Sequence, residues 1–523
     1  MNTRKTLRLG TRRSALAWVQ SSQVAAALRA AHAGLDVELV GIETRGDRVL
    51  DKPLSEIEGK EFFTAELDHA LAEGRVDFTV HSLKDLALER PPGFVLAAVP
   101  RRANPRDLAL FAPDVPELLA RGASLRVGTS SPRRAQLLPG FFAHALPHAA
   151  RGKVMLENLR GNVDSRLRRL HEPRGSERQL DGVVLAMAGL SRLFADTTTE
   201  RKGHALLTSL LEGLHLMVLP LSESPGAPGQ GALAIECRAN DATTRALLAV
   251  LEDPPTRAAV EIERTLLAEH GGGCHQRFGA TLSWLPELGG LLRIAGRNAN
   301  DRDIAERRFL PDTALPPITG EVRTWDGSLA DKAAATPLLD GASLAAKLKH
   351  DAVFVAHSRA LPSGGAAALA GKTVWTSGTK SWFALAAQGV WVQGCSEGLG
   401  AEAAAQLVAE PLLRLPPPGE WDALTHAAAV EPWQQGSWAN ANVIATYEVS
   451  EGELPQREAL AAATHLYWSS TAQFERGRQF AHPDAWHASG PGKTAGHIRA
   501  SGVRNFLAFP TAEEWRKWTA KAP

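Results

Sequence analysis

The chain has 523 residues, which at about 100 to 200 residues per domain excludes a single compact core and calls for roughly three to five domains. Its 44% hydrophobic and 22% charged content excludes a disordered chain, and 58 basic against 57 acidic residues exclude a whole-molecule field that would draw it to nucleic acid or to an anionic membrane. Cys237, Cys274 and Cys395 form an odd set without CxxC spacing, which excludes a disulfide or zinc scaffold and suits a reducing cytoplasm.

No metal site is expected, and the lack of a signal-peptide core or of about 18 consecutive apolar residues predicts a soluble, unexported, cytoplasmic chain; a monomer is the expectation for its assembly. From the start of the chain, Arg12 and Arg13 precede a helix predicted over Ala15–Arg29, and the strand-like segment Val37–Ile42 and the helical segment Glu66–Ala72 follow. The strand Val76–Val80 leads into His81-Ser82-Leu83-Lys84-Asp85, placing Lys84 and Asp85 beyond a strand's carboxyl end, where open α/β sheets bind ligands. Asp85 is the candidate acid/base, because a carboxylate among arginines stays ionised and can stabilise a cationic intermediate; an Asp-Arg structural bridge is its competing role.

The strand Leu125–Val127 ends in Gly128-Thr129-Ser130-Ser131-Pro132-Arg133-Arg134. Ser131 is a good N-cap and Pro132 suits the first helical position. Both arginines therefore fall in a first helical turn, where the helix dipole is already positive and an anion is expected. Arg160 and Arg166 bracket Gly161-Asn162-Val163, another helix start. One exposed arginine near a helix end needs only water. Three recurrences of the arrangement, each with guanidinium forks suited to carboxylate or phosphate, point to a polyanion held in a cleft between two α/β domains, and the strand Val183–Leu185 continues that alternation.

After a helix at Arg257–Glu269 comes Gly271-Gly272-Gly273-Cys274-His275, whose glycines let a thiol face a cleft, with His270 and His275 near enough in sequence to lower its pKa. Cys237, following the apolar run Leu233–Ile235, reads as an inert buried thiol. Scattered Pro, Gly, Asp and Ala make residues 316–340 a linker. Beyond it the composition changes: up to residue 325 the tryptophans are Trp18, Trp284 and Trp325, and the other ten of 13 come later. This second part carries a weak repeat, in which Phe354–Ser358 then Ser377–Gly389, and Leu466–Ser470 then Ser489–Gly502, each read as a strand, a hydroxyl-rich turn and a helix. Gly490-Pro491-Gly492-Lys493-Thr494 is not a phosphate loop, since His487 stands where the first glycine is required.

Residues 7–310 resemble the porphobilinogen deaminase (hydroxymethylbilane synthase) family through LRLGTRRSALAWVQ, TRGD, VHSLKD, NPRD, VGTSSPRRAQL, LRGNVDSRL, LAMAGLSRL, APGQGALAIECR and GGGCH. The resemblance implies two hinged, periplasmic-binding-protein-like α/β domains (1–105 with 205–243, and 106–204), then a small α+β domain (244–315) carrying a dipyrromethane cofactor in thioether linkage to Cys274. It also implies addition of four porphobilinogens with loss of ammonia, release of hydroxymethylbilane, and Asp85 as the catalytic carboxylate beside an azafulvene cation. Family positions for cofactor and substrate carboxylates fall on Arg12, Ser14, Lys84, Ser130, Arg133, Arg134, Arg160 and Arg166, and Lys60 matches a lysine of an active-site loop. Glu56 and Ala65 stand where lysine is common, and His275-Gln276-Arg277-Phe278 departs from the usual Gln-Val-Pro-Ile.

Residues 341–523 resemble uroporphyrinogen-III synthase, which implies a two-lobed α/β module that cyclises hydroxymethylbilane. Ser358, Ser377-Gly378-Thr379-Lys380-Ser381, Ser469 and Lys493-Thr494 match positions able to offer hydroxyls or backbone amides to carboxylates, and Tyr447 matches a tyrosine proposed to assist loss of the hydroxyl group. A fused bifunctional enzyme is the expectation. A deaminase with a non-catalytic tail and a non-catalytic solute-binding protein are the alternatives.

Overall fold

The computed structural model describes residues 5–44, 64–148, 153–197, 203–270, 277–327, 335–449 and 457–521. Glu56, Lys60, Cys274, His275 and Gln276 lie outside the described residues. The chain divides into two units, one of residues 1–143, 150–282 and 293–306, the other of residues 144–149, 283–292 and 307–523.

In the first unit the strands are β1 (Lys5–Arg12), β2 (Leu35–Ile42), β3 (Phe78–Ser82), β4 (Phe94–Ala98), β5 (Asp107–Phe111), β6 (Leu125–Thr129), β7 (Val154–Asn158), β8 (Gly182–Ala186), β9 (His215–Val218) and β10 (Leu233–Arg238). They form two five-stranded sheets, ordered β2-β1-β3-β10-β4 and β7-β6-β8-β5-β9. A strand covered on both faces is apolar throughout, and β5 opens with one carboxylate and is otherwise apolar, buried over its whole length. The Ala15–Ala31 helix starts where Ser14 Oγ accepts from Ala17 N at 3.4 Å. Its residues Val24, Ala25 and Leu28 share a stripe at helical spacing and pack with Leu7, Leu9, Val37, Phe78 and Ile235 in one core. Each aliphatic side chain buried there contributes about 1.5–3 kcal/mol.

The sheets are mixed rather than parallel throughout: β10 runs antiparallel to β3 and β4, and β5 runs antiparallel to β8 and β9. The reason lies in the path of the chain, which passes between the sheets twice, through residues 99–106 and 219–232, so that each sheet takes one reversed strand. The two crossovers bond to each other, Ala103 N donating to Gly231 O at 3.1 Å and Arg102 Nε to Gln230 O at 2.7 Å. Gly231 has φ +88°, and a Cβ on it would meet the Ala103 carbonyl oxygen at 2.4 Å. Any side chain there would push the crossovers apart.

The Pro254–Glu269 helix is capped by Asp253, which accepts from Thr256 N at 3.1 Å. Its Glu263, fully buried, accepts from both terminal nitrogens of Arg102 (2.6 and 2.9 Å), from Gly229 N and from Leu282 N (both 2.8 Å). Strands β11 (Phe278–Leu285), β12 (Gly289–Arg297) and β13 (Asp303–Pro311) form a three-stranded sheet.

The second unit holds two further sheets. One joins β14 (Thr324–Trp325) to β21 (His465–Trp468), β22 (Trp486–Ser489) and β23 (Phe506–Ala508), paired in parallel. The other is ordered β15-β20-β19-β16-β17-β18, from β15 (Ala335–Pro337), β16 (Ala352–Val355), β17 (Thr373–Thr376), β18 (Val392–Cys395), β19 (Asp422–His426) and β20 (Asn442–Val449), parallel except for β15. The tryptophan enrichment is a core property, with Trp375, Trp382, Trp421, Trp438, Trp468 and Trp515 all fully buried. Part of the segment read as a linker joins that core: Trp325 is buried with its ring 5.0 Å from that of Trp468, and Ile318 packs against the cluster containing Trp515 and Trp518. Composition conceals this, because one tryptophan suffices to fix a segment that is otherwise small and polar.

Candidate active site

The turn after β3 is a short 3-10 helix, Leu83–Asp85, with Leu83 buried beneath it and Asp85 exposed. Among the described residues the Asp85 carboxylate makes no hydrogen bond or salt bridge, yet it lies close enough to Lys84 and Arg166 to favour their charged forms. The competing role of Asp85 as a structural bridge is therefore not realised among the described residues.

That role belongs to Asp107, which sequence reasoning passed over. It is fully buried at the head of β5 and accepts from Arg133 Nη2 and Arg134 Nη2, both at 2.7 Å, and from Gln230 Nε2 at 2.8 Å. Arg133 completes its fork on Pro225 O (2.7 Å), and Arg134 on Val184 O (2.9 Å). The anion expected at the start of the Pro132–Ala145 helix is thus partly supplied from within. Burial works to raise Asp107, but Arg133 and Arg134 together hold its carboxyl well below the usual carboxylate range. One carboxylate cannot balance two guanidiniums, so a net positive charge remains. The available signal was a lone aspartate opening an apolar strand, since a buried charge requires a partner.

The remaining cations gather around this pair. Arg166, near the end of the Val163–Arg168 helix, donates Nε to Gly161 O at 2.8 Å and Nη1 to Ser130 Oγ at 3.1 Å. Burial, with Arg134 and Arg160 close by, lowers its pKa to about 10. Half-buried Lys84 is likewise lowered by burial and by Arg134 and Arg133, against Asp85 and Asp107. Arg160 has one terminal nitrogen buried without a hydrogen-bond partner among the described residues. Lys84, Arg133, Arg134, Arg160, Arg166, Ser130 and Asp85 are therefore brought together. Ser14 serves as a helix cap, and Arg12, at the end of β1, acts through its charge on buried His81.

A second network lies beneath the turn. Arg90 donates to Asp68 Oδ1 (2.6 Å) and to both oxygens of Glu236 (2.9 Å each), with His81 3.5 Å from Glu236. Asp68, His81 and Glu236 present ligand atoms within 4.8 Å of one another, but the Arg90 guanidinium already bonds both carboxylates. Burial, then Arg90 and Arg12, lowers the His81 pKa to about 3 and keeps the ring neutral. Arg192, also outside the sequence expectations, is buried with no carboxylate partner among the described residues and donates to Gly231 O at 2.7 Å, with its pKa lowered to about 10 by burial.

In the second unit, Ser358 opens a turn after β16 and its backbone N–H donates to Ser381 Oγ at 3.2 Å. Tyr447, on β20, stands in register with His426, their rings 5.8 Å apart, and burial raises its hydroxyl against the pull of Arg359. Ser469 follows β21 and uses its N–H and hydroxyl on Gln473 Oε1 (2.8 and 3.0 Å). Thr494 lies in the first turn of the Lys493–Ala500 helix, where Lys493 Nζ sits 5.1 Å from the Trp433 ring centre. Among the described residues no hydrogen bond joins the Ser358–Tyr447 group to Ser469 or Thr494.

No helix among the described residues is long and apolar enough to cross a membrane. The family model for the porphobilinogen deaminase dipyrromethane cofactor-binding domain matches residues 7–246. A porphobilinogen deaminase from Roseiflexus castenholzii is 44% identical over 277 residues, covering 53% of this chain and 81% of that protein. One from Xanthomonas campestris pv. campestris is 41% identical over 308 residues, covering 59% and 91%, and one from Brevibacillus brevis is 40% identical over 273 residues, covering 52% and 78%. The cluster of cations, with a buried Arg160 nitrogen that has no partner among the described residues and an exposed carboxylate beside it, fits a cofactor that carries several acid groups. The chain belongs to the porphobilinogen deaminase family.

Proposed function

We propose that the first unit assembles hydroxymethylbilane from four porphobilinogens, with Asp85 as its catalytic carboxylate. The observation carrying this is the division of labour between two aspartates: Asp107 holds the arginines, and Asp85 is exposed beside cations without a bond to any described residue. Lys84, Ser130, Arg133, Arg134, Arg160 and Arg166 would hold the acid groups of the dipyrromethane, with Cys274 as its covalent anchor. When bound, that cofactor supplies the nucleophilic pyrrole carbon to which the first porphobilinogen is joined.

The protein's own part is electrostatic. Asp85 stabilises the positive charge that develops on porphobilinogen as ammonia departs, and can accept the proton lost when the attacking pyrrole regains aromaticity. The guanidiniums fix the acetate and propionate groups, holding the reacting carbons in line. Arg12, Ser14 and Lys60 are proposed to receive substrate carboxylates as the chain lengthens. The intact mass of the purified protein tests this reading: a dipyrromethane adduct is expected on wild type and none on Cys274→Ser, and a bare wild-type chain that stays bare after incubation with porphobilinogen overturns it.

The second unit is proposed to cyclise hydroxymethylbilane to uroporphyrinogen III, with Ser358, Ser469 and Thr494 binding carboxylates and Tyr447 assisting departure of the hydroxyl. Supporting this are two largely parallel sheets whose strands end in hydroxyl-bearing turns, and a buried tyrosine hydroxyl near Arg359. Proposed boundaries are 1–105 with 205–243, 106–204, 244–315 and 341–523. Product analysis decides: the type III isomer sustains the reading, and type I alone reduces the second unit to a scaffold.

A further inference from the structure

The segment that carries Asp85 is short and leaves backbone carbonyls at its end, and their partner comes from a distant part of the chain. Arg264, on the Pro254–Glu269 helix, donates Nη2 to Ala87 O at 2.8 Å and Nη1 to Leu86 O at 3.1 Å and Leu83 O at 3.4 Å. These oxygens flank Asp85 on both sides. Leu86 N closes the turn on Leu83 O at 3.2 Å, so Arg264 grips a carbonyl that also holds the turn's own hydrogen bond.

The neighbouring residue fixes the helix that makes this grip. Glu263 is fully buried and takes four donors, two from Arg102 and two backbone amides, so the helix cannot shift or turn without breaking several charge-assisted bonds. Arg264 is therefore delivered from a rigid element to a short turn whose one exposed carboxylate is Asp85. Its charge also favours the ionised form of Glu236, in the buried network under the same turn. Lysine could not reproduce this, because a planar fork reaches three carbonyls at fixed angles and an ammonium is a single point.

We infer that Arg264 is a positioning residue for the deaminase reaction, clamping the Leu83–Ala87 backbone so that the Asp85 carboxylate is held where charge develops on the substrate. The inference rests on Asp85 performing the chemistry. A reactive group displaced by about 1 Å loses on the order of 100-fold in rate, whereas substrate affinity depends on the guanidiniums of the groove.

The test uses full-length Arg264→Ala and Arg264→Gln, with cofactor loading read by intact mass and folding by circular dichroism. The expected result is a kcat per loaded enzyme lowered about 100-fold for Ala, with KM for porphobilinogen within about threefold of wild type. Arg264→Lys should recover part of the loss, and amide exchange at residues 83–88 should quicken in the Ala variant. A folded, loaded variant with kcat within about threefold of wild type overturns the inference, as does a loss fully accounted for by unloaded or unfolded protein. If Arg264→Ala does not fold, Arg264→Gln is judged by the same criteria. Asp85→Ala, measured alongside, separates the two claims: wild-type turnover there removes the role of Asp85, while the exchange rates still report on the clamp.

Discussion

The two units concentrate polar groups at their strand ends with opposite chemistries. In the first, guanidiniums and a lysine cluster together, and a buried carboxylate holds two of them in place. In the second, the corresponding strand ends carry hydroxyls and backbone amides, and rigidity comes from aromatic packing such as Trp421 against Trp438 at 5.7 Å. Concentrated charge demands internal compensation, and neutral donors do not. Charge-assisted bonds from guanidiniums are roughly twice as strong as those between neutral groups.

The contrast can be broken most decisively at the cofactor anchor. Cys274→Ser should abolish the adduct and lower porphobilinogen consumption by about three orders of magnitude or more, on the scale of removing a unit-acting catalytic group; adduct retained at wild-type mass would sink the assignment. Asp85→Ala should cost about 100- to 1000-fold in kcat, with stability within about 0.5 kcal/mol of wild type because the residue is exposed. Asp107→Ala should do the reverse in emphasis: two buried guanidiniums lose their counter-charge, and urea denaturation should show a loss of about 3–5 kcal/mol. If the two aspartate variants were equally stable, the division of labour between them would fail.

Smaller effects sharpen the picture. Tyr447→Phe should leave porphobilinogen consumption unchanged and lower the type III share of the product several-fold, on the scale of one lost hydrogen bond; an unaltered isomer ratio would leave the tyrosine as packing alone. His81 gives a pH signature. Its folded pKa is lowered to about 3, while unfolded histidine titrates near 6.5, so between these values the unfolded chain binds the extra proton. Stability is therefore full above about pH 6.5 and falls toward pH 3, by up to about 1.4 kcal/mol per pH unit. His81→Gln should flatten that slope by about one proton, and an unchanged slope in acid denaturation would contradict the neutral buried ring.

Much of the site was legible because helix starts and strand ends are local. Ser14 and Ser131 cap their helices, and Pro132 opens one, through chemistry that one segment contains entirely, and Lys84 and Asp85 follow directly from where β3 stops. What escaped is pairing at a distance. Asp107 meets Arg133 and Arg134 across 26 and 27 residues, Arg90 meets Glu236 across 146, and Arg264 reaches Leu83 across 181. No periodicity encodes such partners. Only the oddity of a charge in an apolar strand hints that one exists. The antiparallel course of β5 and β10 was hidden for a related reason, since strand direction depends on where the chain crosses and not on what the strand contains.

One oxygen of Asp107 serves two masters: Oδ1 takes a hydrogen bond from Arg134 and another from Gln230, within the second crossover. The hold on the guanidinium of Arg134 and the anchoring of the second crossover are therefore mechanically linked through a single atom. Loosening it should free both crossovers together, so that backbone amides of residues 99–106 and 219–232 exchange with deuterated solvent in concert when Asp107 is removed.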